Sequence, residues 1–292
     1  MIARTMPLSE FVEKHTMLPY YTRFLPLERR KKAFDFITAM DRTFYDCLYI
    51  RKNKTEMRKY MRYCPICAAN DRKKYGETYW HRKHQLTGID ICAEHLCRLE
   101  DSPVGIASDS QRFTLNHAET VVPYDAAANQ EVSAMEVQVA RYVQQVFDAP
   151  MDFYNEATIG EFLHTKLEKT PYTTARGEVV FARKLFEDIL AYYADFPQLT
   201  IKAWWYVQKV FCRQNYHTLD ICLISYFLKV PISDLLTMQL PDMPIHEKFD
   251  YQIMTLHQQG KTYKQIAQIM GVSLDAVKSI GERRYNSIML RF

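Results

Sequence analysis

Apolar residues recur three and four positions apart along most of the chain, and this spacing is typical of amphipathic helices. Only eight glycines interrupt the pattern, so we predict a mainly α fold made of many helices. The stretch from Pro103 to Asn129 lacks the helical period, and we expect short strands or an irregular covering segment there. Helices are predicted at 27–45, 131–147, 159–169, 177–196, 203–211 and 219–229, and in a last cluster from Phe249.

The end of the chain has the spacing of a helix-turn-helix over residues 261–285. Thr262 and Gln265 form the pattern of a capping box at the start of the first helix. Gly271 allows the turn, because glycine adopts the backbone angles that tight turns require. Ser273 then suits the N-cap of the second helix. The positions predicted to face the interior of this unit are Ala267, Val277 and Ile280.

The outer face of the second helix in this unit is predicted to enter the major groove of DNA. Basic side chains cluster on that face, which favours contact with DNA. The alternative is a purely structural role, because helix-turn-helix units of this kind also occur as scaffolds. Side chains at its two ends are expected to reach phosphates. The residues predicted to contact DNA from this unit are Lys261, Asp275, Lys278, Ser279, Arg283 and Arg284.

A weaker copy of the same plan occupies residues 219–238. Ser225 stands in place of the small alanine, Lys229 in place of the turn glycine, and Leu235 in place of the inward valine. Its second helix is short and has no basic residue, so both a packing unit and a DNA reader stay open. An aromatic pair precedes it, which we interpret as closing its core, with base stacking as the alternative: Trp204 and Trp205.

The overall charge says little about partners, because 38 Lys and Arg against 34 acidic residues give a net charge of only +4. The distribution is more informative, since residues 51–84 hold eleven Lys or Arg against three acids. Such a patch suits a polyanion, and a solvated helical face is the alternative. The residues of this basic stretch predicted to contact DNA phosphates are Arg58, Lys59, Arg72, Lys73, Lys74 and Arg82.

The same region contains a C-x2-C pair, an interval of 24 residues, and a C-x2-H pair. Ligands two residues apart can face one ion from a single turn, and two such turns complete a tetrahedron. Zinc suits three thiolates with one imidazole. Four protein ligands leave no open position for water, which favours a structural site over a catalytic one. The predicted zinc ligands are Cys64, Cys67, Cys92 and His95.

Three nearby side chains compete with this assignment. Cys97 lies two residues past His95, an awkward reach from the same turn, so we expect a free thiol there. His81 and His84 fall midway along the interval, and helical spacing would put both on one face. A zinc-containing nuclease that uses such a histidine is the enzymatic alternative, but it needs a second metal cradle. We therefore predict that the protein is not an enzyme.

These patterns divide the chain into three predicted units. Residues 241–249 hold two prolines in nine positions and are the best linker candidate. The units are 1–102 with N-terminal helices and the zinc module, 103–240 with further helices and the weaker helix-turn-helix-like copy, and 241–292 with the C-terminal helix-turn-helix.

No stretch approaches the roughly 18 apolar residues that a membrane span needs. The first 15 residues meet Glu10 and Lys14 too early to form the apolar part of a signal peptide. We therefore expect a cytoplasmic protein, and clustered cysteines in that compartment are more often metal ligands than disulfides.

The run from Tyr63 to Leu99 resembles the zinc-finger core of the TnsD/TniQ family of transposon target-selection proteins. That family's pattern reads roughly C-P-x-C, then Y-G-E-x-Y-W-H-R-x-H-Q-L, then C-x-x-H-x-x-x-L. The resemblance is strong over 60–100 and looser over the rest of 15–240. The positions that match between the two metal-binding pairs are Tyr75, Gly76, Glu77, Tyr79, Trp80, His81, Arg82, His84, Gln85 and Leu86.

The resemblance implies a non-enzymatic adaptor of the bacterial nucleoid that recognises an attachment site on double-stranded DNA. Members similar to TnsD recruit the AAA+ ATPase regulator of a Tn7-like transposon, and members similar to TniQ work beside an RNA-guided CRISPR effector complex. A helix-turn-helix transcription regulator, or a truncated or domesticated transposon remnant, is the alternative. The usual opening helical segment of the family is not evident before the matching part, so we expect a shortened or divergent member.

Overall fold

The computed structural model describes residues 6–39, 60–106, 116–168, 170–173, 180–212, 216–240 and 245–289. Within these ranges, the side chains at 212, 245–249, 251, 258 and 283–289 are outside the description.

The described chain is mainly helical, as the spacing of apolar residues predicts, and it includes four short strands. The N-terminal helices are α1 Leu8–His15, α2 Leu18–Thr22 and α3 Leu27–Thr38. The zinc-module region comprises β1 Tyr60–Tyr63, α4 Pro65–Tyr75, a 3-10 turn Arg82–Gln85, β2 Ile91–Cys92, β3 Cys97–Arg98 and β4 Glu100–Gly105. The helical body follows with α5 Ala118–Val121, α6 Ala134–Asp148, α7 Ile159–Leu167, α8 Ala182–Tyr192, α9 Trp204–Cys212, α10 Thr218–Phe227 and α11 Ile232–Thr237. The last described helices are α12 Ile245–Gln258, α13 Tyr263–Met270 and α14 Leu274–Met289.

Several helix starts follow from local sequence. The predicted capping box at Thr262 is confirmed, because its side chain accepts from the Gln265 amide while the Gln265 side chain accepts from the Thr262 amide. The same pattern starts α6 at Ser133 and α7 at Thr158, neither of which is predicted above. Each box satisfies backbone N–H groups that a helix start leaves unpaired.

One large hydrophobic core joins the zinc-module region to the helical body. It contains Leu86, Ile89 and Ile91 from the module and reaches along the body to Met238. This core therefore crosses the domain boundary predicted at residue 103. A smaller core in the C-terminal helices gathers Ile253, Ile266, Ala267 and Val277.

The described strands form two antiparallel pairs, which fold the module back on itself. β1 pairs with β4, with Arg62 opposite Asp101, and β2 pairs with β3, with Cys92 opposite Cys97. The predicted irregular stretch 103–129 therefore includes the end of a strand and the short helix α5, while residues 107–115 lie outside the description.

Two predicted segments differ from the structure in their bounds. α3 ends at Thr38, with Ala39 at its C-cap, whereas a helix to residue 45 is predicted. α12 begins at Ile245, so the linker predicted at 241–249 is wrong over its second half. The first half of that stretch, residues 241–244, holds both prolines and lies outside the described residues.

The turn between α13 and α14 and the turn between α10 and α11 have the same backbone construction. Gly271 takes a left-handed conformation, and Val272 donates its N–H to the carbonyl oxygen of Ala267 at 3.0 Å. In the earlier pair Lys229 takes the left-handed conformation at φ 55°, and Val230 donates to Ser225 at 2.9 Å. The equivalence between the two segments that the sequence suggests therefore holds for the backbone of the turn.

Among the described residues, none of the helices has both the length and the apolar composition that crossing a membrane demands.

Candidate metal centre and nucleic-acid interface

The first metal-binding pair sits at the start of α4. Cys64 is the N-cap, Pro65 occupies the first helical position, and the backbone N–H of Cys67 donates to Sγ of Cys64 at 3.4 Å. Proline is well tolerated in that position because its missing N–H would have no partner in the helix. The local sequence C-P-x-C therefore turns both thiols toward one side of the helix start.

The second pair sits on the turn between β2 and β3. Cys92 ends β2, and the N–H of Leu96 donates to the Cys92 carbonyl oxygen at 2.8 Å. Leu96 takes a positive φ of 50°, and the resulting turn carries His95 over the start of α4. The four predicted ligands lie within 4.8 Å of one another, with the three cysteines buried and the histidine half-buried.

The distances between these side chains fit a tetrahedral zinc site. Zinc with about 2.3 Å bonds to sulfur and about 2.0 Å bonds to nitrogen gives edges of about 3.8 Å between sulfurs and about 3.5 Å between sulfur and nitrogen. Sγ of Cys67 and Sγ of Cys92 are 3.8 Å apart. Nδ1 of His95 lies 3.2 Å from Cys67 and 3.6 Å from Cys92. It lies 3.5 Å from Sγ of Cys64. The donor set therefore fits zinc in these four distances.

Hydrogen bonding within the cluster favours the thiolate at Cys64 and raises the pKa of Cys67. Hydrogen bonds from Cys67 and Cys92 lower the pKa of Cys64 to about 3. Nε2 of His95 lies 3.2 Å from the side-chain amide nitrogen of Asn70. Outer partners of this kind fix the ring of a ligating histidine.

Cys97 borders the cluster without joining it. Its side chain is fully buried, and its Sγ lies 3.4 Å from Sγ of Cys64. Burial raises the pKa of Cys97 to about 12, so the group is a neutral thiol that can donate a weak hydrogen bond to Cys64. The fourth of the mutually close donors is His95 and not Cys97, in agreement with the predicted ligand set.

The two histidines of the interval pack beside this cluster. The rings of His81 and His84 stack with centroids 4.7 Å apart, and Nε2 of His81 lies 2.8 Å from Asp71. His84 is buried, and burial lowers its pKa. His81 and His84 form a second group of close donors together with Cys67. Cys67 therefore belongs to both groups.

Two of the arginines predicted to contact DNA phosphates are committed to internal contacts. Arg72 binds Glu119 at 2.9 Å and also donates to the carbonyl oxygens of Val122 and Pro123. Arg82 donates to the carbonyl oxygens of Glu13 and Thr16. These contacts explain both side chains as ties between segments, so we correct their assignment as phosphate contacts.

The other cations of the basic stretch have different positions. Lys73 and Lys74 are exposed on the last turn of α4 and are available to an anion. Arg58 and Lys59 lie outside the described residues.

A buried arginine that the sequence analysis does not single out supports the module. Arg62 is only 1% exposed, and its guanidinium donates to the carbonyl oxygens of Leu86 and Ile89 and to Asp90. Gln85 hydrogen-bonds to both the N–H and the carbonyl oxygen of Arg62. The Y-W-H-R-x-H-Q-L segment is thus held against β1 by polar contacts.

A second contact ties the module to the helical body. Arg98, at the end of β3, forms a forked ion pair with Glu136, whose second oxygen also serves the capping box at the start of α6. Burial acts to raise the pKa of Glu136, but the hydrogen bonds from Arg98 and Ser133 outweigh it and leave the pKa below its usual 4.5.

The C-terminal helices present the predicted polar face to solvent. Asp275, Lys278 and Ser279 are exposed on α14, while Val277 is fully buried. Lys261 is half-buried just before α13. The side chains of Arg283 and Arg284 lie outside the described residues.

The packing of these helices agrees with the predicted interior positions. Ala267 and Val277 are buried, and Ile280 packs against the same cluster. Ser273 accepts a hydrogen bond from the N–H of Ala276 at the start of α14. A Cβ added at Gly281 would come within 2.7 Å of the Tyr263 ring, so the two helices approach closely there.

Comparison with known proteins supports the resemblance seen in the sequence. Residues 3–99 match the family model described as TniQ. The chain is 24% identical over 144 residues to the transposon Tn7 transposition protein TnsD of Escherichia coli. The matched stretch is 49% of this chain and 28% of TnsD, so the chain covers less than a third of that relative. The part of the chain that resembles the TniQ family is therefore residues 3–99, and the Cys64–His95 cluster lies within it.

Proposed function

We propose that this protein selects target sites for a Tn7-like transposon by binding double-stranded DNA, and that it acts as a non-enzymatic adaptor. The observation that carries the proposal is the Cys3His cluster with zinc geometry inside a region that matches the TniQ family. The name of the E. coli relative, a Tn7 transposition protein, supports a role in transposition.

The metal would have a structural role. Cys64, Cys67, Cys92 and His95 would hold one zinc ion, and their four donors fill a tetrahedral shell. A bound ion would fix the start of α4 to the turn between β2 and β3. The module would then present Lys73 and Lys74 on a rigid helix, where they would anchor DNA phosphates.

DNA sequence would be read by α14 in the major groove. Lys278 and Ser279 are exposed beside each other on the face opposite the buried Val277. Asp275, one turn earlier, would accept from the amino group of a cytosine, because carboxylates pair with that donor. Lys261, Arg283 and Arg284 would contact phosphates or base edges at the two ends of the unit.

The domain organisation follows from these roles. Residues 1–102, the zinc module with its N-terminal helices, and 103–240, the helical body, would share one hydrophobic core, and 241–292 would form the DNA-reading helix-turn-helix. The copy at 219–238 would serve as a packing unit, because Ser225 and Leu235 are fully buried and α11 is only six residues long.

The partners would be an attachment site in the bacterial nucleoid and the AAA+ ATPase regulator of the transposon. A CRISPR effector complex is the alternative targeting partner, as in members similar to TniQ. A transcription regulator or a domesticated remnant would keep the DNA-binding parts and lose the ATPase contact.

One experiment separates these functions. The purified zinc-loaded chain is mixed with an attachment-site duplex, the AAA+ ATPase regulator of the transposon and ATP, and complexes are resolved by size. A ternary complex that requires all three components supports target selection. DNA binding that excludes the ATPase would identify a regulator, and metal-dependent nicking that disappears in His81→Ala would identify a nuclease.

A further inference from the structure

The helix α9 exposes its largest side chain. Trp205 is 49% exposed, whereas Val207, Val210 and Phe211 of the same helix are buried in the main core. We expected both tryptophans of this helix to close that core, and for Trp205 the expectation is wrong. A single exposed aromatic ring is common on protein surfaces, so the significance of Trp205 depends on the side chains around it.

The orientation of Trp205 is fixed by its neighbours. Its ring lies 6.0 Å from that of Trp204 in an edge-to-face arrangement and 6.4 Å from that of Tyr206 at an interplanar angle of 27°. The guanidinium of Arg183, on α8, lies 5.8 Å from the ring of Trp204. Aromatic pairs with these geometries attract each other. The exposed indole is therefore already ordered and loses little conformational freedom on binding.

Two lysines flank Trp205 in the sequence, and one of them shares its helical face. Lys209 follows Trp205 by four positions, which places both on one helical face, and its Nζ lies 4.9 Å from the Tyr206 ring. Lys202 is exposed just before the helix begins. We call Lys202, Trp205, Tyr206 and Lys209 the indole face.

The surrounding chain favours an anionic partner. Residues 197–219 contain Lys202, Lys209 and Arg213 and no aspartate or glutamate. The adjoining helix α8 contributes exposed Arg183 and Lys184 together with Glu187 and Asp188, and Asp188 accepts a hydrogen bond from Tyr172. The described residues of α8 and of 197–212 thus carry four cations against two carboxylates.

We propose that the indole face binds single-stranded nucleic acid, with an unpaired base stacked on Trp205 and the flanking phosphates held by Lys202 and Lys209. Aromatic rings beside cations are the usual means of binding unpaired nucleotides, because every base offers a flat face. A duplex does not offer that face, since its bases are already stacked on one another. The proposal extends the proposed DNA function to a second ligand and a second helix, and it stands apart from duplex reading by α14.

The test measures binding of a fluorescein-labelled oligothymidine of about 12 nucleotides to the full zinc-loaded chain by fluorescence anisotropy. Trp205→Ala should weaken this binding by about 5- to 150-fold, the range for loss of one stacked base. Trp205→Phe should keep most of the affinity, because phenylalanine still stacks. Tyr154→Ala is the matched control, since Tyr154 is a 90% exposed aromatic residue on another segment, and it should bind like the unaltered chain.

Two further measurements keep the outcome decisive. Lys209→Ala should lower the slope of log K against log salt by about 0.7, the value for one phosphate contact with a single strand. Duplex affinity, measured with the same variants, should change less than two-fold. The proposal is overturned if the unaltered chain does not bind the oligothymidine, if Trp205→Ala binds it like Tyr154→Ala, or if single strand and duplex are weakened equally. Loss of duplex binding in Lys278→Ala alone concerns α14 and leaves the indole face unaffected.

Discussion

Alanine in place of Cys92 removes one corner of the Cys3His cluster, whereas alanine in place of Cys97 removes a thiol that only borders it. The comparison is matched, because the two residues face each other across β2 and β3 and both are buried. Sγ of Cys92 lies 3.6 Å from Nδ1 of His95, while Sγ of Cys97 approaches Cys64 at 3.4 Å outside the group of mutually close donors.

The two substitutions should differ greatly in cost. Structural zinc contributes about 10–16 kcal/mol of apparent binding free energy in small fingers, which is comparable to the whole stability of a domain, about 5–15 kcal/mol. Cys92→Ala should therefore lose the metal and unfold the module. Cys97→Ala removes one buried sulfur and should cost about 1–2 kcal/mol, or about 2–4 °C in Tm for a chain of this size.

The assay is the zinc content per chain by atomic emission, with thermal melting before and after a chelator. We expect one zinc per chain in the unaltered protein and in Cys97→Ala, and loss of zinc in Cys92→Ala and in His95→Ala. The chelator should lower Tm wherever zinc is present. If Cys97→Ala lost the metal while His95→Ala kept it, the shell would consist of four cysteines and the ligand assignment would be refuted.

Three other substitutions test how the module and its helices are held. Gly88→Ala should cost about 2–4 kcal/mol in unfolding free energy by denaturant titration, because Gly88 has a φ of +77° and a Cβ there would lie 2.2 Å from Leu219; an unchanged midpoint would contradict this packing. Glu136→Gln should cost about 1.5–3 kcal/mol by weakening the pair with Arg98. Because the folded pKa of Glu136 lies below 4.5, its contribution is present above that pH and is lost as the pH falls through the folded value, so acid melts of the variant should show a smaller decline than those of the unaltered chain. Lys229→Gly should raise stability by about 0.5–1 kcal/mol by relieving the left-handed backbone, and a lower Tm would show that the lysine side chain matters more than the turn.

The features that could be predicted from sequence depend on residues close together in the chain. The two metal-binding pairs each span a single turn, and the capping box at Thr262 involves a residue three positions away. The left-handed position at Lys229 follows from its alignment with Gly271. In each case the physical constraint is local, so a short pattern contains all of it.

The features that could not be predicted depend on distant partners. Arg72 and Arg82 look like surface cations in a basic stretch, but their partners lie 47 and 69 positions away. Charge alone does not show which cations turn inward. The exposure of Trp205 has a similar cause, because helical spacing identifies the residues that share a face and does not identify the face that the core covers.

The proposed function depends most on the reading of DNA sequence by α14. The most direct test is selection from a pool of random duplexes by the zinc-loaded chain, with Lys278→Ala selected in parallel. We predict that the unaltered chain enriches one defined sequence, and that Lys278→Ala loses the preference at one or two positions with about 1–3 kcal/mol weaker binding to the selected site. Enrichment of no sequence, or of the same sequence with equal affinity by both chains, would contradict the assignment of α14 as the reading helix.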